Sequence, residues 1–245
     1  VSGISVIVTV TKTLPKITSN PTAGAITYGE TLVDSTISGG VVNTAGEFSW
    51  TNSTIAPSVS DSGVTTYSVT FTPYDMENYS PTTVSITLTV NRANLTDAST
   101  GYSGAYDDTA HSITVAATGI GGQSIASGNI AGINIVYGKT TSYSNGSTNV
   151  LATDVSDSGT VYYKVTSNNY NDLTGSKTIA IGTVAITLTA DSNSKTYSGT
   201  ALTDNGYSIT SGEFVGSEGL ATVTVVGSQL FVGSSANTIT GHTLK

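Results

Sequence analysis

The 245-residue sequence contains no cysteine, which excludes disulfides and thiolate metal sites and leaves hydrophobic cores and backbone ladders to stabilise the chain. Charge is also scarce, at 10% of residues, with 16 acidic against 8 basic side chains and a single arginine, Arg92. No basic stripe exists to track phosphates or an anionic leaflet, so nucleic acid and membrane surfaces are excluded as expected partners. The apolar run at 5–10 is far shorter than the roughly 20 residues that span a bilayer, and no signal sequence precedes it. The chain opens at Val1, and residues 241–245 resemble no anchoring signal. It therefore reads as an internal excerpt whose targeting signals lie outside it.

What is present is strand chemistry. Hydrophobic residues make up 37% of the chain, enough for small cores. They are mostly Val, Ile and Tyr alternating with Thr and Ser, while the helix formers Glu, Lys, Arg and Gln are few and Met occurs once. The length admits one large domain or two to three small ones. Lack of cysteine is neutral between cytosol and exterior, but the composition, rich in Thr, Ser, Asn and Gly and poor in Lys, points to an extracellular location, at a cell surface or cell wall.

Internal repeats organise the chain. Val59-Ser60-Asp61-Ser62-Gly63 recurs as Val155-Ser156-Asp157-Ser158-Gly159. At the same offset Tyr67-Ser68-Val69-Thr70 falls on Tyr163-Lys164-Val165-Thr166, and further on Asn78-Tyr79 matches Asn169-Tyr170. An opening landmark occurs three times, at Tyr28-Gly29-Glu30-Thr31-Leu32, Tyr106-Asp107-Asp108-Thr109-Ala110 and Tyr197-Ser198-Gly199-Thr200-Ala201-Leu202. Each is a tyrosine before a tight polar turn leading into alternating apolar residues. The period-two runs 84–90 and 177–181 predict closing strands with one apolar and one hydroxyl face. Residues 4–10 have the same look ahead of the first opening landmark.

These landmarks predict the terminal strand of a preceding module at 1–12, module one at 13–91, module two at 92–182, and an incomplete module three at 183–245 that lacks its closing strand. Module three is expected either to be a marginal fold or to take residues 4–10 as a substitute strand, in cis or from a neighbouring molecule. The linkers at 91–94 and 182–185 are short and carry no Gly/Ser or Pro-rich tether. Modules of roughly 80–95 residues with about seven short strands fit a two-sheet sandwich. The expected fold is all-β, with tandem immunoglobulin-like β-sandwich modules in an elongated array and β-grasp as the rival. The Cys, Trp, Cys framework is absent, and Trp50 reads as core filler.

The landmarks resemble the MBG and YDG families of tandem bacterial surface repeats. The resemblance rests on Ile26-Thr27-Tyr28-Gly29, Phe71-Thr72-Pro73 and Asn78-Tyr79 in module one, and on Tyr106-Asp107, Tyr162-Tyr163-Lys164-Val165 and Asn169-Tyr170 in module two. In module three it rests on Lys195-Thr196-Tyr197-Ser198-Gly199-Thr200 and Val232-Gly233-Ser234-Ser235-Ala236-Asn237-Thr238. It spans nearly the whole chain. Phe231 departs from it, standing where the pattern favours aspartate, and module two carries an insertion-like stretch at 119–130. The resemblance implies a surface-repeat role in a large adhesin-like protein.

No site residue is assigned as catalytic, cofactor-binding or metal-binding. Asp61 and Asp157 are expected to accept N–H bonds within their own turns, with the glycine after each at positive φ. The carboxylate and amide clusters at 75–78, 107–108, 168–172 and 191–193 read as solvated turns, with calcium as the alternative. His111 and His242 lie on different modules, so no zinc set or Ser-His-Asp constellation forms. Lys16, Lys164, Lys177 and Lys195 lie in or near strand-like runs, the setting of a Lys–Asn isopeptide cross-link. The recurring Tyr28, Tyr106 and Tyr197 are expected to be structural, while Tyr74 and Tyr143 are the tyrosines expected to be free for contact. The functional expectation is a non-catalytic spacer of a secreted bacterial adhesin-like protein, without cofactors. The alternative is a carbohydrate- or mucin-binding module of the same protein, whose partners are glycans, mucin or other surface proteins.

Overall fold

A computed structural model describes residues 3–125 and 132–245. Among these residues the chain is all-β, built of strands and short 3-10 turns with no α-helix. Packing of the backbone divides it into two compact units, one made of Val1–Ala98, Val115–Ile135 and Lys164–Gly175, the other of Ser99–Thr114, Val136–Tyr163 and Ser176–Lys245. The division runs through the stretch read as module two.

Module one holds seven strands: β1 (Ile17–Ala23), β2 (Ile26–Thr27), β3 (Ile37–Val42), β4 (Gly46–Trp50), β5 (Tyr67–Pro73), β6 (Thr82–Ile86) and β7 (Val90–Asn91). They form the sheets β1-β3, β4-β5-β6 and β2-β7. Strand β5 alternates as the sequence requires: Tyr67, Val69, Phe71 and Pro73 are buried, and Ser68 and Thr72 face solvent. Phe71 packs on Phe48 across the ladder, ring centroids 5.0 Å apart, and burial of such a ring contributes about 2–3 kcal/mol. Ile26, Leu32, Tyr67, Leu88 and Val90 form one cluster with Trp50 and Val59 packed against it. Residues from all three sheets thus share one core, as in an immunoglobulin-like β-sandwich.

The predicted closing strand at 84–90 is not a single ladder. Its first half is β6, antiparallel to β5, and its end is β7, parallel to β2. Residues 87–89 cross between sheets, yet Ile86, Leu88 and Val90 all stay buried, because the period-two pattern continues through the crossing.

Module two contributes β8 (Thr96–Asp97), β9 (Tyr102–Ala105), β10 (Ala117–Thr118), β11 (Ser124–Ile125), β12 (Asn134–Gly138), β13 (Gly159–Thr166) and β14 (Leu173–Gly182). The sheets are β11-β10-β8 and β12-β13-β14-β9. As in module one, the end of the closing strand runs parallel to the segment before the landmark tyrosine, pairing Ile179 with Tyr102 through Gly182 with Ala105. Of the predicted insertion at 119–130, residues 126–130 lie outside the described residues; the described part forms a 3-10 turn at Ile120–Gly122 and then β11.

Module three is two hairpins. β15 (Thr187–Ala190) pairs with β16 (Tyr207–Ser211), and β17 (Leu220–Val226) pairs with β18 (Thr238–Leu244). Val225 is its one buried hydrophobic residue among those described. Residues 4–10, which share the look of a closing strand, form no strand. Ile4, Val6, Val8 and Val10 are 79–93% exposed, since alternation alone makes no ladder without an edge to pair with.

Candidate functional site

The most developed constellation of side chains is where module one meets module two, entirely within the first compact unit. The linker residue Ala93 is held in the backbone: its N–H donates to the Asn169 carbonyl at 3.1 Å, and its own carbonyl accepts from Asn171 N–H at 2.8 Å. Arg92 Nη1 donates to the carbonyls of Ser167 and Tyr170, at 3.1 and 3.3 Å. Asn169 Oδ1 accepts from Val59 N–H at 3.2 Å, which ties the Val-Ser-Asp-Ser turn of module one to the Asn-Tyr loop of module two. Tyr28 meets Tyr170 edge-on, centroids 5.4 Å apart at 80°, a geometry in which a ring edge meets the negative face of its partner. Tyr170 is buried, and its hydroxyl accepts from Ile120 N–H at 3.1 Å.

The turn after each landmark tyrosine contains a left-handed residue: Gly29 (φ 99°), Asp108 (φ 60°) and Gly199 (φ 77°). Glycine takes such values freely and aspartate tolerates them. At Gly29 a side chain is also excluded by space, because a Cβ would stand 2.7 Å from Ile120 Cγ2. Tyr28 and Tyr106 are half-buried, and each backbone N–H donates to the end of its own closing strand, at Asn91 and Gly182. Tyr197 is 60% exposed.

Three aspartates close 3-10 turns in the same way. Asp34 Oδ2 accepts from Thr31 N–H and Oγ1. Asp61 Oδ2 accepts from Ser58 N–H at 2.9 Å and Ser58 Oγ at 2.7 Å, while Oδ1 accepts from Thr65 Oγ1 at 2.8 Å. Asp157 accepts from Thr153 and Asp154 N–H. The Ser58 hydroxyl and amide hold Asp61 below the usual carboxylate range, and the Asp154 and Thr153 amides do the same for Asp157. Gly63 takes the predicted positive φ of 69°, whereas Gly159 does not, since it already belongs to β13 and needs extended backbone.

The strongest electrostatic perturbation is at Asp107. Its Oδ1 accepts from Thr109 N–H and Oγ1 and lies 2.9 Å from His111 Nε2. The Thr109 hydroxyl first, then the imidazole, lower its pKa to about 2. His111 in turn stacks on Tyr102 at 3.7 Å and 11°. Thr109 Oγ1 also lies 3.0 Å from His111 Nε2, and the bonds of the group brace the turn that leads out of the landmark.

The other predicted clusters are engaged locally. Asp75 accepts from Glu77 and Asn78 N–H and from Asn78 Nδ2, chiefly the last lowering its pKa. Asp172 pairs with Lys164 at 2.7 Å, and Asp191 accepts from Ser208 Oγ. Among the described residues no group of three or more His, Cys, Asp or Glu side chains is placed to hold a metal ion, and no helix is long and apolar enough to cross a membrane. None of Lys16, Lys164, Lys177 and Lys195 is buried, so none has the setting an isopeptide cross-link needs. Tyr74 is 68% exposed, with its hydroxyl donating to Glu47. Trp50 is half-buried, and its indole N–H donates to the Ser35 carbonyl at 3.0 Å.

The sequence marks Asn169-Tyr170 as a repeat landmark within the amide cluster at 168–172, and 91–94 as a linker, but does not bring the two together. The junction was foreshadowed by one signal, a lone arginine in a short linker, but its carbonyl partners belong to a loop 75 residues away in the chain.

No protein-family profile and no curated protein matches the chain. Among solved structures it is similar to the titin domains Z1Z2 in complex with telethonin, at 17% identity over 71% of this chain and 99% of that one, TM-score 0.27. It is also similar to extracellular domains 3–5 of Drosophila OTK, at 11% identity over 77% and 73%, TM-score 0.25. With identities and TM-scores this low, the fold assignment rests on the sheets and cores described above.

Proposed function

We propose that the chain is a run of non-catalytic structural repeats from a secreted bacterial surface protein of the adhesin type, serving to space rather than to bind. The observation that supports this reading is the bonded junction: a four-residue linker, 91–94, whose arginine, alanine and flanking asparagines are all tied down resists bending, which is what a spacer needs and a tethered binding domain does not. Asp34, Asp61, Asp75 and Asp157, whose oxygens are taken up by their own turns, fit a scaffold role.

The second reading is a carbohydrate- or mucin-binding module, favoured by Tyr74, an exposed ring beside the Glu47 carboxylate. A glycan-array and mucin-binding screen of the whole chain, repeated with EDTA, separates the two. Silence across the panel is the expected result. Saturable binding lost in a Tyr74→Ala variant would replace the spacer with the lectin, and loss with EDTA would bring in calcium.

A further inference from the structure

We infer that Asn52 and Asn145 are attachment sites for N-linked glycans, presented at the same place in modules one and two. This goes beyond the spacer reading, because it assigns a covalent modification and the residues that carry it.

An asparagine followed two residues later by serine or threonine, with any residue but proline between, is the acceptor pattern for N-linked oligosaccharide transfer. It occurs at Asn52-Ser53-Thr54, Asn78-Tyr79-Ser80, Asn94-Leu95-Thr96 and Asn145-Gly146-Ser147, while Asn20 is disqualified by Pro21. All of these asparagines are exposed, so exposure selects none of them. What separates them is how each side-chain amide is engaged.

Asn78 and Asn94 are tied down. Asn78 Nδ2, the atom that would carry the sugar, donates to Asp75 Oδ2 at 2.9 Å, and the Asn78 carbonyl accepts from Thr13 N–H. Asn94 Oδ1 accepts from Asn171 Nδ2 at 2.8 Å in the junction, and Thr96 is committed to β8, where it pairs with Thr118. A glycan on either residue has to break these bonds.

Asn52 and Asn145 are not held in this way. Asn52 Oδ1 accepts from Thr54 N–H at 3.2 Å and from Thr54 Oγ1 at 2.8 Å, an Asx turn that leaves Nδ2 to solvent. The hydroxyl of the pattern thus already sits on the amide it serves. Drawing charge toward Oδ1 makes the Nδ2–H more acidic. The turn is fixed by the backbone, since Ser53 accepts from Val33 N–H and Ile55 accepts from Leu32 N–H. Asn145 lies in the hairpin after β12, with its backbone N–H donating to Tyr137 at 3.0 Å and Gly146 at φ 58°. Its side chain makes no hydrogen bond among the described residues.

Place in the fold is the second observation. β4 and β12 are the edge strands beside the central strands β5 and β13. Asn52 and Asn145 each lie between that edge strand and the Val-Ser-Asp turn, at 59–61 or 155–157. The two loops differ in length and sequence, so the pattern recurs by position in the fold rather than by alignment of the repeat.

The co-reactant is a lipid-linked oligosaccharyl diphosphate. Transfer forms a bond from Nδ2 to the anomeric carbon and breaks that carbon's bond to the diphosphate oxygen. The diphosphate leaves with the electron pair, and the displaced amide proton passes to a base of the transferase.

The test incubates the folded whole chain with a single-subunit oligosaccharyltransferase that reads Asn-x-Ser/Thr and its lipid-linked oligosaccharide, and maps the products by mass spectrometry. Peptides spanning each pattern serve as unstructured acceptors. Every peptide is expected to accept, but the folded chain only at Asn52 and Asn145. Thr54→Ala, at an exposed position and with Trp50 fluorescence unchanged, is expected to slow transfer to Asn52 by at least about tenfold, the kinetic equivalent of one lost hydrogen bond. Thr54→Ser, which keeps the hydroxyl, is expected to restore it. Failure of the folded chain at either Asn52 or Asn145, or transfer to Asn78 or Asn94 as fast as to those two, overturns the inference.

Discussion

Modules one and three open with the same landmark and share strand chemistry, yet they bury very different amounts of themselves. Module one closes its core around Ile26, Leu32, Tyr67, Val69, Phe71, Leu88 and Val90, whereas module three buries only Val225 and leaves Ile209, Val226, Leu230 and Phe231 substantially exposed. The difference lies in one element. In module one the segment from β6 to β7 lines one sheet and then the other, and three consecutive inward positions, Ile86, Leu88 and Val90, seal the sandwich between them. Among the described residues no segment takes that place beside the hairpins of module three. The turns differ too: Ser58 and Asp61 hold a bonded 3-10 turn before β5, while the stretch before β18 makes only an isolated bridge from Gln229 to Leu202 and a bend at 231–233.

The largest break in this comparison is expected from Phe71→Ala, which removes a ring packed on Phe48. It should destabilise module one by about 3–5 kcal/mol, read as a lower denaturant midpoint for Trp50 fluorescence; Trp50 is the only tryptophan and so reports module one alone. Asp61→Ala, which strips Ser58 and Thr65 of their acceptor, should move the same signal by about 1–2 kcal/mol. A double-mutant cycle of Tyr28→Ala with Tyr170→Ala should give a coupling of about 0.5–1.5 kcal/mol; additivity would mean that the aromatic pair adds nothing to the junction. Ile209→Ala in module three should cost less than about 1 kcal/mol and leave the Trp50 midpoint in place, and a larger effect would show a core there.

Acid sharpens the comparison from module two. The folded Asp107 carboxyl titrates at about 2, below its ordinary value of about 4, so its stabilisation is fully present above about pH 4 and is lost as pH falls through about 2. A carbon-13 titration of Asp107 should show the depressed value, and Thr109→Val or His111→Gln should return it toward the ordinary one. Neither Gly29 nor Ser198, the residues at the same place in the other two landmarks, contributes such a dependence.

Alternation made the strands legible: β5, β13 and β14 follow from their period-two patterns, and the Asp turns from residue type and spacing. The repeat offset likewise exposed the kinship of Asn78-Tyr79 and Asn169-Tyr170. The crossing at 87–89 was not legible, because a closing segment that changes sheets keeps the same alternation as one that does not. Gly159 was misread for a related reason, since the same pentapeptide precedes a turn in one module and enters a strand in the other.

The sequence by itself determined the β character, the inward and outward faces of each strand and the reuse of one landmark, since these depend on side-chain type and local period. Tertiary structure alone decided which edges are filled. Residues 4–10 and 84–90 carry the same pattern, but one finds a sheet and the other does not, because a ladder needs a partner whose position no local pattern encodes. It also decided that Arg92 grips the loop at 167–170, because carbonyls offer the same acceptor at every residue and only the fold brings these two to the linker.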